Sequence, residues 1–208
     1  MAKICTLEEI ARHMREDGMG VYPTETFMAL GCRAGSAAAV AGLYAVKQRP
    51  HHLPLPLIAA DRAQVENIAH MLPEAAKLME HFWPGPLSIL LPASAQAPAA
   101  LSGGTGMVAV RIPSHSGARA LALAVGEPLV ASSANISGTP PAKDAKSVDP
   151  ALLERVPVLW DTPPKPAGRL PSTLVRLLDG ETIQVLRQGV VPTYALQQAG
   201  FVVELALP

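Results

Sequence analysis

The sequence predicts an α/β fold in which helices pack on one twisted, mixed sheet. Short apolar segments alternate with amphipathic helical segments over the first three quarters of the chain, which is typical of strands joined by helical crossovers. Near the end, Asp179-Gly180 separates two β-type segments and indicates an antiparallel hairpin. Parallel crossovers and a hairpin together require a sheet of mixed strand directions. No interior linker divides the 208 residues, so we expect a single domain over 1–208.

Composition limits the class of protein. The chain is 49% hydrophobic and 16% charged, so it can bury a sizeable core. Its formal net charge is zero, which gives no global electrostatic case for nucleic acid, although a local basic groove stays open. Cys5 and Cys32 lack metal-ligand spacing and are interpreted as free thiols in a reducing compartment. With no signal-peptide pattern and no apolar run of ~18 residues, we expect a cytoplasmic protein without a membrane segment.

In the first half of the chain, predicted strands alternate with predicted helices. Thr6 and Glu9 form a capping-box pattern that opens a helix ended by Gly18. Ser36 and Asp61 are the expected N-caps of two further helices. In order, we predict a strand over 19–22, which a loop separates from the apolar segment 27–32, and then a helix over 37–46. A strand over 55–60, helices to about 71 and over 73–81, and a central strand over 87–91 follow.

The second half begins with a surface loop over 92–106. We predict a strand over 107–112, a helix over 115–125, strands over 128–131 and 156–160, the hairpin strands 172–178 and 182–187, and a last helix between Pro192 and Gly200. The segment 162–170 is rich in proline and basic residues. Its position just before Ser172 makes it a candidate to close over a site.

The stretch 132–138, Ser-Ser-Ala-Asn-Ile-Ser-Gly, follows an apolar segment and organises the rest of the chain. Its hydroxyls, amide and backbone N–H groups are typical of a nest for phosphate or carboxylate. It could equally be a turn that caps its own backbone. The same choice, between substrate site and ordinary turn, stays open for the loop 23–26, Pro-Thr-Glu-Thr.

Cations mark two further positions. Lys47 and Arg49 lie where a helix ends before Pro50. They could bind phosphate, or they could stabilise the helix C-terminus as cations. Arg111 lies near the end of an apolar strand, as a ligand group or as one half of a surface ion pair. His51-His52 has no third ligand at helpful spacing, so we predict no protein metal site.

Taken together, these residues resemble the YrdC/TsaC family. Each motif is weak alone, but seven occur in the family's order and cover nearly the whole chain. They are Tyr22-Pro-Thr-Glu-Thr26, Lys47-x-Arg49-Pro50, Trp83-Pro-Gly-Pro86, Arg111-Ile-Pro113, Ser133-Ala-Asn135-Ile-Ser-Gly138, Pro171-Ser-Thr173 and Arg187-x-Gly189. The resemblance implies the YrdC-like α/β fold with a concave cleft, and without the extra C-terminal domain of longer members.

The resemblance also implies a reaction. L-threonine, bicarbonate and ATP would give threonylcarbamoyl-AMP and pyrophosphate, with Mg²⁺ carried on the ATP phosphates. A partner complex would then transfer the threonylcarbamoyl group to adenosine in tRNA. Lys47 and Arg49 would be catalytic and would hold the phosphates. Ser133, Asn135 and Arg187 would bind the nucleotide, and the residues that would hold threonine are Thr24, Arg111 and Ser172.

Some positions depart from the family pattern. Phe27-Met28-Ala29 replaces the usual Val-Tyr-Gly, which would reshape the pocket floor, and Leu53 stands where a polar residue is common. One alternative is therefore a diverged paralogue that binds nucleotide or double-stranded RNA without making this product. Another is the carbamoyl-adenylate chemistry of the related domain in hydrogenase-maturation proteins, which usually belongs to a much longer chain.

Overall fold

Apolar segments bounded by turn residues form the strands of a computed structural model that describes residues 3–156 and 158–206. The strands are β1 (Lys3–Ile4), β2 (Gly20–Pro23), β3 (Met28–Gly31), β4 (Pro56–Ile58), β5 (Leu87–Pro92), β6 (Met107–Arg111), β7 (Leu129–Val130), β8 (Ser132–Ser133), β9 (Val158–Leu159), β10 (Thr173–Leu177), β11 (Thr182–Arg187) and β12 (Val202–Leu205). The helices are α1 (Leu7–Arg15), α2 (Ala37–Lys47), α3 (Arg62–Ile68), α4 (Ala75–Phe82), α5 (Ser116–Val125), α6 (Pro150–Arg155) and α7 (Thr193–Gln198).

The strands form two sheets of mixed direction. One has the order β1-β9-β2-β3-β8, and the other has the order β12-β11-β10-β5-β6-β4-β7. The predicted α/β class is confirmed, and β5 is central to its sheet as predicted. The prediction of one sheet is wrong, because the chain changes sheets at Ala131. Its N–H donates to Pro56 O at 2.8 Å in the larger sheet, whereas Ala134 N–H donates to Met28 O at 2.8 Å in the smaller one.

The predicted N-caps are confirmed. Thr6 Oγ1 accepts from Glu9 N–H and the Glu9 carboxylate accepts from Thr6 N–H, which completes the capping box. Ser36 Oγ accepts from Ala39 N–H at 3.1 Å, and Asp61 Oδ1 accepts from Gln64 N–H at 2.9 Å. These bonds satisfy N–H groups that have no partner inside the helix.

Several boundaries differ from the prediction. Helix α3 ends at Ile68, before the predicted 71, because Ala69 pairs with Ala93 in a β-bridge. Pro73 lies before α4, whose N-cap is Glu74. The short edge strands β1 and β12 were not predicted; they pair parallel with β9 and β11. Within the predicted strand 156–160, Pro157 lies outside the described residues.

Two apolar cores support the sheets. The larger includes buried Leu30, Leu57, Ile89 and Val110 and lies against the seven-stranded sheet. The smaller packs Ile10 and Met14 of α1 against Leu121 of α5 and neighbouring strands. This burial supplies most of the driving force for folding. In the described part of the chain, no helix combines the length and the apolar character needed to cross a membrane.

Candidate active site

A cavity of about 620 Å³ lies between the two sheets. Its walls come from β3 and β8 of the smaller sheet, from β4, β5, β6, β10 and β11 of the larger sheet, and from the loops that join them. The volume is in the range of ligand pockets. Six of the eight predicted site residues line it, namely Thr24, Arg49, Arg111, Ser133, Ser172 and Arg187.

The loop between β2 and β3 forms one wall and is closed by Thr24. Thr24 Oγ1 donates to Phe27 O at 2.8 Å, and Thr24 N–H donates to the same carbonyl at 3.1 Å. Thr26 Oγ1 lies 3.1 Å from Thr24 Oγ1. Both threonines are buried, so this tight turn presents hydroxyl groups to the cavity at fixed positions.

Arg111, the last residue of β6, carries a buried guanidinium at the cavity wall. Its Nε donates to Glu25 Oε1 at 2.9 Å, and only 4% of the Arg111 side chain is exposed. Within the described part of the chain, its Nη1 and Nη2 groups donate to no protein atom. Arg111 therefore has two parallel donors left for a ligand, which is the geometry that carboxylate and phosphate prefer.

Arg187 and Ser172 form a second polar cluster. Arg187 Nε and Nη2 donate to Ser172 O at 3.1 and 2.8 Å, and Nη2 also lies 2.9 Å from Ser172 Oγ. Ser172 Oγ in turn lies 3.0 Å from Ser88 Oγ of β5. Burial lowers the pKa of Arg187, and the positive charges of Arg111 and Arg49 lower it further. The three guanidinium groups thus share one electrostatic environment.

Arg49 lies just beyond α2 and is half-buried. Gln48 ends the helix in the left-handed conformation, at φ 51°, which turns the chain toward the cavity. Arg49 Nη2 donates to Pro54 O at 2.9 Å, so the side chain lies along the loop that leads to β4. Burial is the main cause that lowers its pKa.

Lys47 does not line the cavity. The residue is 1% exposed, and its ammonium donates to the carbonyl of Ser133 and, at 2.7 Å, to that of Asn135. Ser137 N–H donates back to Lys47 O at 3.2 Å. Lys47 thereby ties the end of α2 to the loop 132–138. A direct contact with phosphate stays a prediction for Lys47.

Asn135 also lies outside the cavity wall. Its amide group donates to Ile136 O at 3.0 Å and to Thr139 O, while its Oδ1 accepts from Ser133 Oγ. These bonds give the loop its shape, which agrees with the self-capping alternative. The predicted contact of Asn135 with nucleotide stays a prediction and would require the release of an amide bond.

The cavity is strongly cationic. Four arginines line it, Arg49, Arg111, Arg169 and Arg187, and none of the described lining residues is acidic. Glu25 lies behind the wall and offsets part of the Arg111 charge. Because burial reduces screening by water, this surplus attracts anionic ligands.

The proline-rich segment 162–171 covers one side of the cavity. Ala167 N–H donates to Glu25 O at 3.1 Å and Gly168 N–H donates to Thr26 O at 2.8 Å. Gly168, Arg169 and Pro171 contribute to the lining. The segment therefore lies at the cavity, and its closure over a bound ligand stays a prediction.

Sequence reasoning missed Glu25 and Ser88. Glu25 lies inside the motif 23–26, but nothing in the sequence shows that its partner is Arg111, 86 positions away. Ser88 is the one hydroxyl in the apolar strand Leu87–Pro92, and that isolated polar residue was an available signal. Met28 and Ala29, which depart from the family pattern, do line the cavity.

Known proteins resemble this chain in sequence and in fold. A threonylcarbamoyl-AMP synthase of Halorhodospira halophila is 39% identical over 179 residues, which are 86% of this chain and 92% of that protein. One of Chromobacterium violaceum is 37% identical over 182 residues, which are again 86% of this chain and 92% of that protein. The crystal structure of P. abyssi Sua5 complexed with L-threonine is 32% identical, with a TM-score of 0.87.

That comparison covers 96% of this chain and 58% of the Sua5 chain, so this chain spans less than two thirds of that relative. The Sua5/YciO/YrdC family model, described as "Telomere recombination", matches residues 12–189. The match includes every residue of the cavity wall and every strand of the two sheets except β1 and β12. The chain therefore belongs to the Sua5/YciO/YrdC family.

Proposed function

We propose that this chain is a threonylcarbamoyl-AMP synthase, a nucleotidyltransferase acting on L-threonine, bicarbonate and ATP. The observation that carries the proposal is the cavity with four arginines and no acidic lining residue, in a chain that matches synthases over 92% of their length. Every substrate of this reaction has an anionic group. A cationic, partly buried cavity is what such a set of ligands requires.

The reaction has two steps. The threonine amine attacks the carbon of bicarbonate and water leaves, giving N-carboxy-threonine. A carbamate oxygen then attacks the α-phosphorus of ATP, a P–O bond breaks, and pyrophosphate leaves. Two anions must approach each other, so positioning and charge neutralisation supply most of the catalysis. No nucleophilic side chain is needed.

The donors left on each arginine support distinct roles. Arg111 retains both terminal amino groups, which suits the bidentate geometry of the threonine carboxylate. Arg49 and Arg187 each use Nε and one terminal amino group on carbonyls, leaving Nη1 for a phosphate oxygen. Ser133 would meet the nucleotide, while Thr24 and Ser172 would hold threonine.

Lys47 acts in this proposal by holding the loop 132–138 in place, with any phosphate contact made through its remaining N–H. The residues do not fit a protein-held Mg²⁺, because none of the described lining residues is acidic and Glu25, behind the wall, is paired with Arg111. The described residues also contain no group of three His, Cys, Asp or Glu side chains close enough to bind a metal. Mg²⁺ is therefore proposed only as an ion carried by ATP.

The proposal extends to the fate of the product. A transfer complex would move the threonylcarbamoyl group to adenosine in tRNA, in the cytoplasm. These partners follow from the reaction, since an acyl-adenylate mixed anhydride is an activated donor that a second protein must protect from hydrolysis and use.

The test is pyrophosphate release from ATP and bicarbonate, with L-threonine, with L-serine or with no amino acid. We expect threonine-dependent release and a product of the mass of threonylcarbamoyl-AMP. Arg49→Ala should raise the KM for ATP by about 10-fold or more, since one charge-assisted bond is lost. ATP binding without release, whatever the amino acid, would support the diverged paralogue and lead to RNA-binding assays over a range of salt.

A further inference from the structure

Glu25 and Arg111 form a buried ion pair that connects the two sheets. Glu25 belongs to the loop between β2 and β3, and Arg111 ends β6. The side chains are 13% and 4% exposed, and Arg111 Nε lies 2.9 Å from Glu25 Oε1. Among the ion pairs of the described residues, this pair is the most buried.

Both backbones are held independently of the pair. Ala59 N–H donates to Arg111 O at 2.9 Å, within the pairing of β4 and β6. The Glu25 carbonyl accepts from Ala167 N–H at 3.1 Å, and Thr24 closes the turn on the other side. The length of the Glu25 side chain therefore decides where the guanidinium plane lies.

Stability alone does not account for the pair. Removing two charges from water is costly, and a buried ion pair is often no better than apolar residues of the same volume. In addition, Glu25 Oε2 is buried without a hydrogen-bond partner among the described residues. A buried carboxylate with only one of its two oxygens hydrogen-bonded contributes little to stability. We therefore look for the role of Glu25 in its effect on Arg111.

We propose that Glu25 is a positioning residue that fixes the guanidinium of Arg111 so that Nη1 and Nη2 face the carboxylate of the amino-acid substrate. By accepting from Nε, Glu25 selects one orientation of the planar group. This inference rests on the proposed function, and it adds a specificity determinant that contacts the substrate only through Arg111.

A simpler role for Glu25 would be to offset the charge of Arg111, and that role predicts the opposite result. Loss of a negative charge beside the cavity would strengthen the attraction for a carboxylate. Loss of the Nε bond would instead free the guanidinium to rotate and would weaken binding. Two conservative substitutions test the charge of Glu25 and the length of its side chain separately.

Glu25→Asp keeps the charge but shortens the side chain by one methylene, so it cannot span the 2.9 Å contact. Glu25→Gln loses the charge but keeps an acceptor oxygen at the same distance. We expect the Kd for L-threonine to rise about 10- to 100-fold in Glu25→Asp and to stay within about threefold in Glu25→Gln. The Kd for ATP should stay unchanged in both, by calorimetry on the full chain.

The matched control is Glu66→Asp, because Glu66 also accepts from an arginine Nε at 2.9 Å, that of Arg62, but on an exposed helix face. It should change neither Kd. Wild-type affinity in Glu25→Asp, an equal loss in both Glu25 variants, or a parallel loss of ATP binding would each overturn the inference. Failure of the wild-type protein to bind threonine would instead contradict the proposed function.

Discussion

Lys47 carries its charge in an unfavourable place, and this has a measurable effect. Burial and, to a smaller extent, the charge of Arg49 lower the pKa of its ammonium from 10.5 to about 8. Below pH 8 this residue is protonated in both the folded and the unfolded chain, so folding carries the full free-energy cost of burying the charged ammonium. Between pH 8 and 10.5 the folded protein loses the proton first, and stability from this residue rises with pH.

We therefore predict that the free energy of unfolding of wild type minus that of Lys47→Met increases by about 2 kcal/mol between pH 7.5 and pH 10. Methionine keeps the apolar stem and has no proton to lose. Urea denaturation of both proteins at the two pH values measures the difference, in which the titration of other groups cancels. A difference that falls or stays constant would contradict the buried position of the ammonium.

At this scale the sequence predicted residue types better than their partners. Arg49, Arg111 and Arg187 line the cavity as expected. Lys47 and Asn135 bind carbonyls of the loop 132–138 instead. Which of several nearby oxygens a donor takes depends on tertiary distances, and those are not encoded in local spacing.

At the scale of elements, the turn after β11 holds the start of β10 in place. A Cβ on Gly189 would lie 2.3 Å from Pro171 O and 2.5 Å from Thr173 N. Those are backbone atoms beside Ser172, so they cannot rotate away as a side chain could. The glycine is required by this close approach, and the approach positions both Ser172 and Arg187.

Gly189→Ala should destabilise the protein by about 1–3 kcal/mol and raise the KM for threonine, because Ser172 is displaced. Gly42→Ala provides the comparison, since a Cβ there meets Met19 Cε at an ordinary 3.5 Å inside α2. It should stabilise by about 0.5–1 kcal/mol through helix propensity. Denaturation midpoints measure the stability of each variant, and steady-state kinetics measure its KM for threonine. Equal stability and equal KM in the two variants would refute the requirement for glycine at position 189.

Elements were predicted well where local chemistry decides them. The caps Thr6, Ser36 and Asp61, the hairpin at Asp179-Gly180 and the central β5 all follow from nearby residues. The division into two sheets does not, because it depends on which backbone partners Ala131 and Ala134 find across the chain. Strands β1 and β12 were missed for the same reason: pairing with β9 and β11, rather than any pattern of their own, makes them strands.

At the scale of the whole molecule, zero net charge and a cationic cavity coexist. Acidic residues compensate the arginines elsewhere, as in the exposed pairs Lys77–Glu181 and Arg62–Glu66. Net charge therefore predicts weak non-specific binding to nucleic acid and says nothing against an anion site. The two sheets meet near Cys32, whose carbonyl accepts from Val130 N–H at 2.9 Å.

Cys32 can report on the integrity of this junction. Burial, with smaller contributions from the charges of Glu127 and Asp17, raises the pKa of its thiol to about 12, so the reactive thiolate is scarce at pH 8. In a Cys5→Ser background, we expect iodoacetamide to label Cys32 only after unfolding, and ATP to slow labelling in proportion to its occupancy. Mass spectrometry over time measures this. Labelling of the native protein at the rate of a free peptide would contradict it.

The wall of the cavity draws on residues from Thr24 to Arg187, and this sets a condition on synthesis. A ribosome-bound chain that has emerged as far as β6 already carries Arg111 and Glu25, yet it lacks Ser133, Ser172 and Arg187. Under the proposed function, we expect nucleotide to be retained only after β10 and β11 have joined β5. An incomplete chain that ends before Arg187 would lack one of the four arginines of the cavity wall, and we expect it to bind ATP more weakly than the complete cavity does.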